Sequence, residues 1–102
     1  MKIKINKFSV QNIFINGVYD VETAHGMKKC MILKRIKDKF IALLSKEIIK
    51  HIENKNTTSD SIKKVFDEKV NINIAQIDIK DIYKLHFVVD EDIHNAIKEA
   101  ID

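Results

Sequence analysis

The chain of 102 residues has no proline, no tryptophan, two glycines and a single cysteine. Cradles for phosphate groups need clustered glycines, because backbone amides must approach the ligand closely. Gly17 and Gly26 stand apart in the sequence, so nucleotide-binding loops of the usual kinds are excluded. Cys30 has no second cysteine, which excludes an intramolecular disulfide and a metal site built from several cysteines. A reducing, cytoplasmic setting is therefore expected.

Long hydrophobic runs are also missing. No stretch approaches the roughly 18 apolar residues that can cross a bilayer. Residues 1–10 alternate lysine with isoleucine, unlike the uninterrupted apolar core of a signal peptide. The composition, with 45% hydrophobic and 32% charged residues, is that of a globular protein. Because a chain of this length has room for one core, residues 1–102 are predicted to form a single domain.

Arginine is nearly absent, and the positive charge comes mainly from lysines that are unevenly placed. The formal net charge is only +3. Residues 27–55 hold nine basic and three acidic side chains, whereas residues 56–102 hold six basic and ten acidic side chains. A basic middle followed by an acidic tail is the strongest electrostatic feature of the sequence.

The dipeptide Asn16-Gly17 is the clearest local turn signal. Apolar and aromatic residues flank it on both sides, at 13–15 and 18–21. Asn-Gly favours the type I′ turn of a two-residue β-hairpin, in which both residues have positive φ. A hairpin is therefore predicted here, with Ile15 opposite Val18. Residues 2–10 alternate in two phases, which is typical of a strand interrupted by a bulge or a break.

Residues 27–54 have helical periodicity. At 100° per residue, Leu33, Phe40 and Leu44 fall in one broad apolar sector, which predicts a long central helix that buries Phe40 and Leu44. Basic residues line up on the opposite side of this predicted helix, and they are the candidate partner-binding residues. They are Lys28, Arg35, Lys39, Lys46 and Lys50.

The second half of the chain predicts a short helix, two strands and a last helix. The short helix runs over 60–69 and is capped by Ser59 or a neighbour. Apolar residues alternate with polar ones around 72–74 and again over 83–89, as in strands. Acidic residues at 90–92 suit the first turn of a helix. The predicted fold is an α+β domain in the order ββ-α-α-ββ-α with an antiparallel sheet.

Signatures of catalysis or metal binding are weak. Cys30 would lie among lysines, but no neighbouring base supports a nucleophilic thiol, and a buried, inert thiol is the preferred interpretation. Asp90, Asp92 and His94 have the residue types of metal ligands. On a helix, however, residues two apart face different directions, and capping already explains the acids. No catalytic residue, cofactor or metal site is predicted, and an enzyme is not expected.

Two classes of function remain. The first is a non-enzymatic binding or inhibitor protein that docks onto another macromolecule, with a protein as the expected partner. Toxin-immunity proteins and inhibitors encoded by a phage or mobile element act in this manner. The second is a nucleic-acid-binding regulator, because five cations spread over about 33 Å of helix match one turn of a duplex. A single arginine and the lack of interleaved aromatic residues favour the first class. No membrane partner is expected, and a homodimer is compatible with both classes.

Overall fold

A computed structural model describes residues 12–68 and 70–101. These residues form five strands and three helices, in the order three strands, two helices, two strands and one helix. The strands are β1 (Gly17–Thr23), β2 (Gly26–Ile36), β3 (Lys39–Leu43), β4 (Ile74–Asp78) and β5 (Ile82–Val88). The helices are α1 (Lys46–Ile52), α2 (Ser59–Asp67) and α3 (Glu91–Ile101). A single 3-10 turn, Ile79–Asp81, joins β4 to β5. The α+β class and the antiparallel sheet are confirmed, with five strands rather than four.

The sheet is strongly curled. Its strand order is β4-β3-β2-β1-β5, so the two edge strands are neighbours in sequence. The three residues of the 3-10 turn limit the distance between the Cα atoms of Asp78 and Ile82 to about 14 Å. In a flat sheet, four strand spacings would separate the edges by about 19 Å. The sheet therefore bends until β4 and β5 approach each other.

This curl gives the sheet two buried faces. The outer face packs against all three helices in a cluster that we call the helix-side core, which includes Met31, Leu43, Ile48, Ile62 and Ile97. The concave face is filled by side chains from every strand, and we call this cluster the inner core. It consists of Ile13, Tyr19, Val21, Cys30, Ile32, Phe40, Ala42, Ile77 and Ile82.

The predicted long helix over 27–54 is wrong. Residues 26–43 form the β2–β3 hairpin, and only Lys46–Ile52 are helical. Because both faces of the sheet are buried, four consecutive residues of β2, from Cys30 to Leu33, lie in the interior. A continuous apolar run of this kind lacks the period of two that marks a half-buried strand. Phe40 is fully buried as expected, whereas Leu44 is only half-buried.

The Asn16-Gly17 hairpin is also wrong. The turn lies one step earlier, since the N–H of Gly17 donates to the oxygen of Phe14 over 3.0 Å. Gly26 is the only glycine with positive φ, and Asn16 does not have positive φ either. Asn16 instead binds the residue that follows β5. Its side-chain Nδ2 donates to the backbone oxygen of Val89, and its backbone oxygen accepts from the N–H of Val89. Residues 18–21 are extended as predicted.

In the second half of the chain, both predicted helices are confirmed. Helix α2 begins after Thr58, whose hydroxyl accepts from the N–H of Ser61 in a capping box. Helix α3 begins with the predicted acidic turn. The strand predicted around 72–74 begins only at Ile74, as β4, whereas the strand predicted over 83–89 is β5. These two strands pair with β3 and β1 rather than with each other. The strand predicted over 2–10 lies outside the described residues. None of the described helices is long and apolar enough to cross a membrane.

Candidate binding groove

The five predicted basic residues are distributed over three elements. Lys28 and Arg35 lie on β2, Lys39 lies on β3, and Lys46 and Lys50 lie on α1. The structure brings Lys28, Lys46 and Lys50 together around one open groove of about 860 Å³. Arg35 and Lys39 are at the opposite end of the β2–β3 hairpin, next to its turn. The single stripe expected from a helix does not exist.

Arg35 and Lys39 are engaged locally. The Nε of Arg35 donates to the backbone oxygen of Lys37, within the hairpin turn. The Nζ of Lys39 lies 2.8 Å from Oδ1 of Asp78 on the neighbouring strand β4. This hydrogen bond raises the pKa of Lys39 and lowers the pKa of Asp78. Because Lys39 is paired, it contributes little free positive charge at that end of the sheet.

The groove exists because β2 is much longer than β3. The last pair between them is Met31 with Leu43, so Gly26–Cys30 pairs with β1 alone among the described residues. Beyond Leu43 the chain turns into α1, so no described strand covers the other side of this segment. At about 3.4 Å per residue, the open edge is about 17 Å long. We call it the free edge of β2.

The direction of the backbone along this edge follows from a neighbouring hydrogen bond. The N–H of Leu44 donates to the oxygen of Asn73, which continues the β3–β4 ladder over 2.8 Å. Since the backbone groups of successive residues point to opposite sides of a strand, Leu43 faces β2 and its partner Met31 faces β3. By the same alternation, Lys29 and Met27 direct their N–H and C=O groups to the open side.

Helix α1 forms one wall of the groove. Lys46, Ile49, Lys50 and Glu53 line it with the three- and four-residue spacing that places side chains on one helix face. Ile49 is buried against the sheet and thereby sets the rotation of α1 about its own axis. The helix start is held by Ser45, whose buried Oγ accepts from the N–H of Asn73 over 2.8 Å.

The far end of the groove is the β1–β2 turn. Gly26 has φ of +99°, a conformation that side-chain-bearing residues rarely adopt. The Oγ1 of Thr23 donates to the oxygen of Gly26 over 2.7 Å and accepts from the N–H of His25. These bonds close the turn, and His25 and Met27 beside it line the groove.

The groove carries a surplus of positive charge. Four lysines line it against one acid, and the Nζ of Lys29 lies 3.0 Å from Oε1 of Glu53. Both side chains of that pair are well exposed, so the pair contributes at most about 1 kcal/mol to stability. In the part of the chain that the structure describes, Lys28, Lys46 and Lys50 have no acid within 4.0 Å. Three cations are therefore available to a ligand.

Sequence reasoning missed several groove residues, and it could not find the free edge. Lys29, His25 and Met27 were not singled out, and the helical interpretation put only the first of the neighbours Lys28 and Lys29 on the basic face. On β2, they alternate instead. Lys29 lies on the side of α1, where it meets Glu53, and Lys28 lies on the opposite face of the sheet. The groove is thus flanked by lysines on both sides of its strand edge.

The other residues considered for catalysis or metal binding, Cys30, Asp90, Asp92 and His94, do not form a common site. Cys30 is fully buried in the inner core, and burial together with the nearby Asp20 carboxylate raises the pKa of its thiol to about 12. The carboxylate of Asp90 accepts from the N–H of Asp92, while His94 is buried and directs its Nε2 to the oxygen of Ile32. No group of three metal-ligating side chains converges among residues 12–68 and 70–101.

No family model matches this sequence, and comparisons with curated proteins and with solved structures give no match either.

Proposed function

We propose that this protein is a non-enzymatic binding protein that docks the basic groove onto an acidic part of a partner protein. The observation that carries the proposal is a cluster of three lysines around one groove, Lys28, Lys46 and Lys50, which have no acidic partner among the described residues. Uncompensated charge of one sign steers oppositely charged partners to a surface and sets their orientation.

The lining of the groove favours a protein over a nucleic acid. Met27, Leu44 and Ile49 contribute apolar surface between the lysines, which suits a chain carrying both acidic and apolar side chains. Arg35, the residue type best suited to bidentate contacts with bases, lies at the other end of the hairpin. The 33 Å line of cations that matched a duplex is lost with the long helix. A role as an inhibitor or immunity protein in the cytoplasm remains a prediction.

Fluorescence anisotropy with defined probes tests the proposal. The probe is a labelled peptide Glu-Val-Glu-Val-Glu, and its uncharged counterpart Gln-Val-Gln-Val-Gln is the control for charge. The groove variant carries Lys28→Gln, Lys46→Gln and Lys50→Gln. The matched control variant carries Lys34→Gln, Arg35→Gln and Lys63→Gln, which removes the same charge from exposed positions outside the groove.

We expect the acidic peptide to bind the parent protein with an affinity that falls as salt rises. At about 0.5 kcal/mol for each exposed charge pair, the groove variant should bind roughly tenfold more weakly. The control variant should remain within about twofold of the parent. Equal losses in both variants would mean that net charge rather than the groove attracts the peptide, and would contradict the proposal. Tighter, groove-dependent binding of a duplex of about 20 base pairs would support the nucleic-acid alternative instead.

A further inference from the structure

We infer that the partner segment binds in the basic groove as an added β-strand, paired with the free edge of β2. This inference rests on the proposed function and adds the binding mode and the chemistry of the segment. The segment is an extended stretch of about five residues in a partner protein, with acidic side chains at the positions that face α1. The carrying observation is that the same groove holds backbone groups and lysines for which residues 12–68 and 70–101 supply no strand partner and no acid.

The backbone of the free edge offers hydrogen-bonding groups to an added strand. Met27 and Lys29 direct two N–H and two C=O groups to the open side of β2, following the hydrogen bond of Leu44 described above. Across that side, β3 has already turned into α1. Exposed strand edges of this type are templates for pairing with another extended chain. Five residues of β2 are long enough to hold a short strand in one register.

The charges around the free edge define the chemistry of the strand that binds there. A strand added beside β2 projects its side chains alternately toward α1 and toward the opposite face. On the α1 side these side chains meet Lys46, Ile49 and Lys50. On the opposite face they meet Lys28, whose side chain lies on the same face as that of Cys30. Acidic residues are therefore favoured at the positions that face α1, and the opposite face, where Lys28 and Leu44 line the groove, has room for an apolar side chain against Leu44.

Lysines on this edge also oppose the pairing of two copies of this protein. Pairing β2 with the β2 of a second copy would bring Lys28 and Lys29 of each chain close to those of the other. Charged side chains, lysine above all, are a common means by which proteins protect an exposed strand edge from self-association. An acidic strand removes that repulsion and a basic one increases it, so the edge selects its partner by charge.

Amide hydrogen exchange on the full-length protein tests the inference, with the peptide Glu-Val-Glu-Val-Glu as the probe. The N–H groups of Met27 and Lys29 have no strand partner among the described residues, and they should exchange at least tenfold more slowly at saturating peptide. The N–H groups of Lys28 and Cys30 point toward β1 and should change little. Lysine-dependent binding without protection of Met27 and Lys29 would overturn strand addition while leaving the proposed function intact.

A second measurement uses backbone N-methylation of the peptide. Methylating both valines removes one alternating set of N–H donors, and methylating the third and fifth residues removes the other set. A paired strand should lose at least tenfold in affinity with one set and less than about twofold with the other. Equal effects of both sets would overturn the inference. Concentration-dependent protection of the same amides in the free protein, or stronger protection by a 20-nucleotide oligothymidylate, would identify a different occupant and would also overturn it.

Discussion

The Nε2 of His94 lies 2.9 Å from the backbone oxygen of Ile32, so α3 is hydrogen-bonded to the middle of β2. A carbonyl oxygen only accepts, which means that Nε2 carries a proton. His94 is buried, and burial lowers the pKa of its imidazole more than the carbonyl partner raises it, while the nearby Lys98 lowers it further. The folded protein therefore holds this side chain in its neutral form.

The first prediction is that stability falls in mild acid because of His94. An imidazole whose pKa is lower in the folded state takes up its proton more readily when the chain is unfolded. Stability is therefore complete above the unfolded pKa of about 6.5 and decreases as the pH falls below it toward the folded pKa. Urea denaturation at pH 7.5 and at pH 5.5 measures the loss. A His94→Gln variant should show a smaller difference between the two pH values, and an unchanged difference would contradict the assignment.

The second prediction concerns Phe40, which is fully buried in the inner core. Phe40→Ala should lower the free energy of unfolding by roughly 3–5 kcal/mol, because it removes a large apolar group and leaves a cavity. Ile36, on the same hairpin, is 48% exposed, so Ile36→Ala should cost less than about 1 kcal/mol. Chemical denaturation of the two variants compares them directly. Similar costs at both positions would show that Phe40 is not a core residue.

The elements predicted correctly are those whose signals are local. Helix α2 has its cap at Thr58, and α3 has acids in its first turn, so neither depends on what packs against it. The β2–β3 hairpin has no such signal, because its turn residue Lys37 adopts a φ of +58° where glycine or asparagine is usual. Asn16-Gly17 has a strong turn signal, but the contacts of Asn16 with Val89 determine the conformation instead.

The groove was half predicted. The sequence predictions included Lys28, Lys46 and Lys50 because of their charge, which follows from residue type without knowledge of the fold. The predicted cause of their proximity was wrong, because the three lysines lie on a strand and a helix rather than on one long helix. The free edge depends on β3 ending at Leu43 while β2 extends to Gly26. That difference in length becomes visible only when the register between the strands is known.

The third prediction concerns the reactivity of Cys30. Its thiol is fully buried and has a pKa raised to about 12, so almost no thiolate exists at neutral pH. We expect a thiol-specific reagent to modify the native protein only at the rate at which it opens, and to modify the protein rapidly in denaturant. The release of thionitrobenzoate measures both rates. Fast modification of the native protein would contradict the burial of Cys30 and would reopen a nucleophilic role.

The last prediction concerns Glu53, the one acid among the described residues that line the groove. Glu53→Gln frees Lys29 and removes a negative charge near the other lysines, so the acidic peptide should bind more tightly. At a separation of about 8 Å in water, one charge changes the binding free energy by about 0.5 kcal/mol, or roughly two- to threefold in Kd at low salt. Glu47→Gln, on the exposed start of α1 and outside the groove, changes the net charge equally and is the matched control. Anisotropy titrations should show the gain for Glu53→Gln alone, and the gain should shrink as salt screens the charges. If both variants gain equally, the peptide responds to the net charge of the protein and the groove is not its binding site.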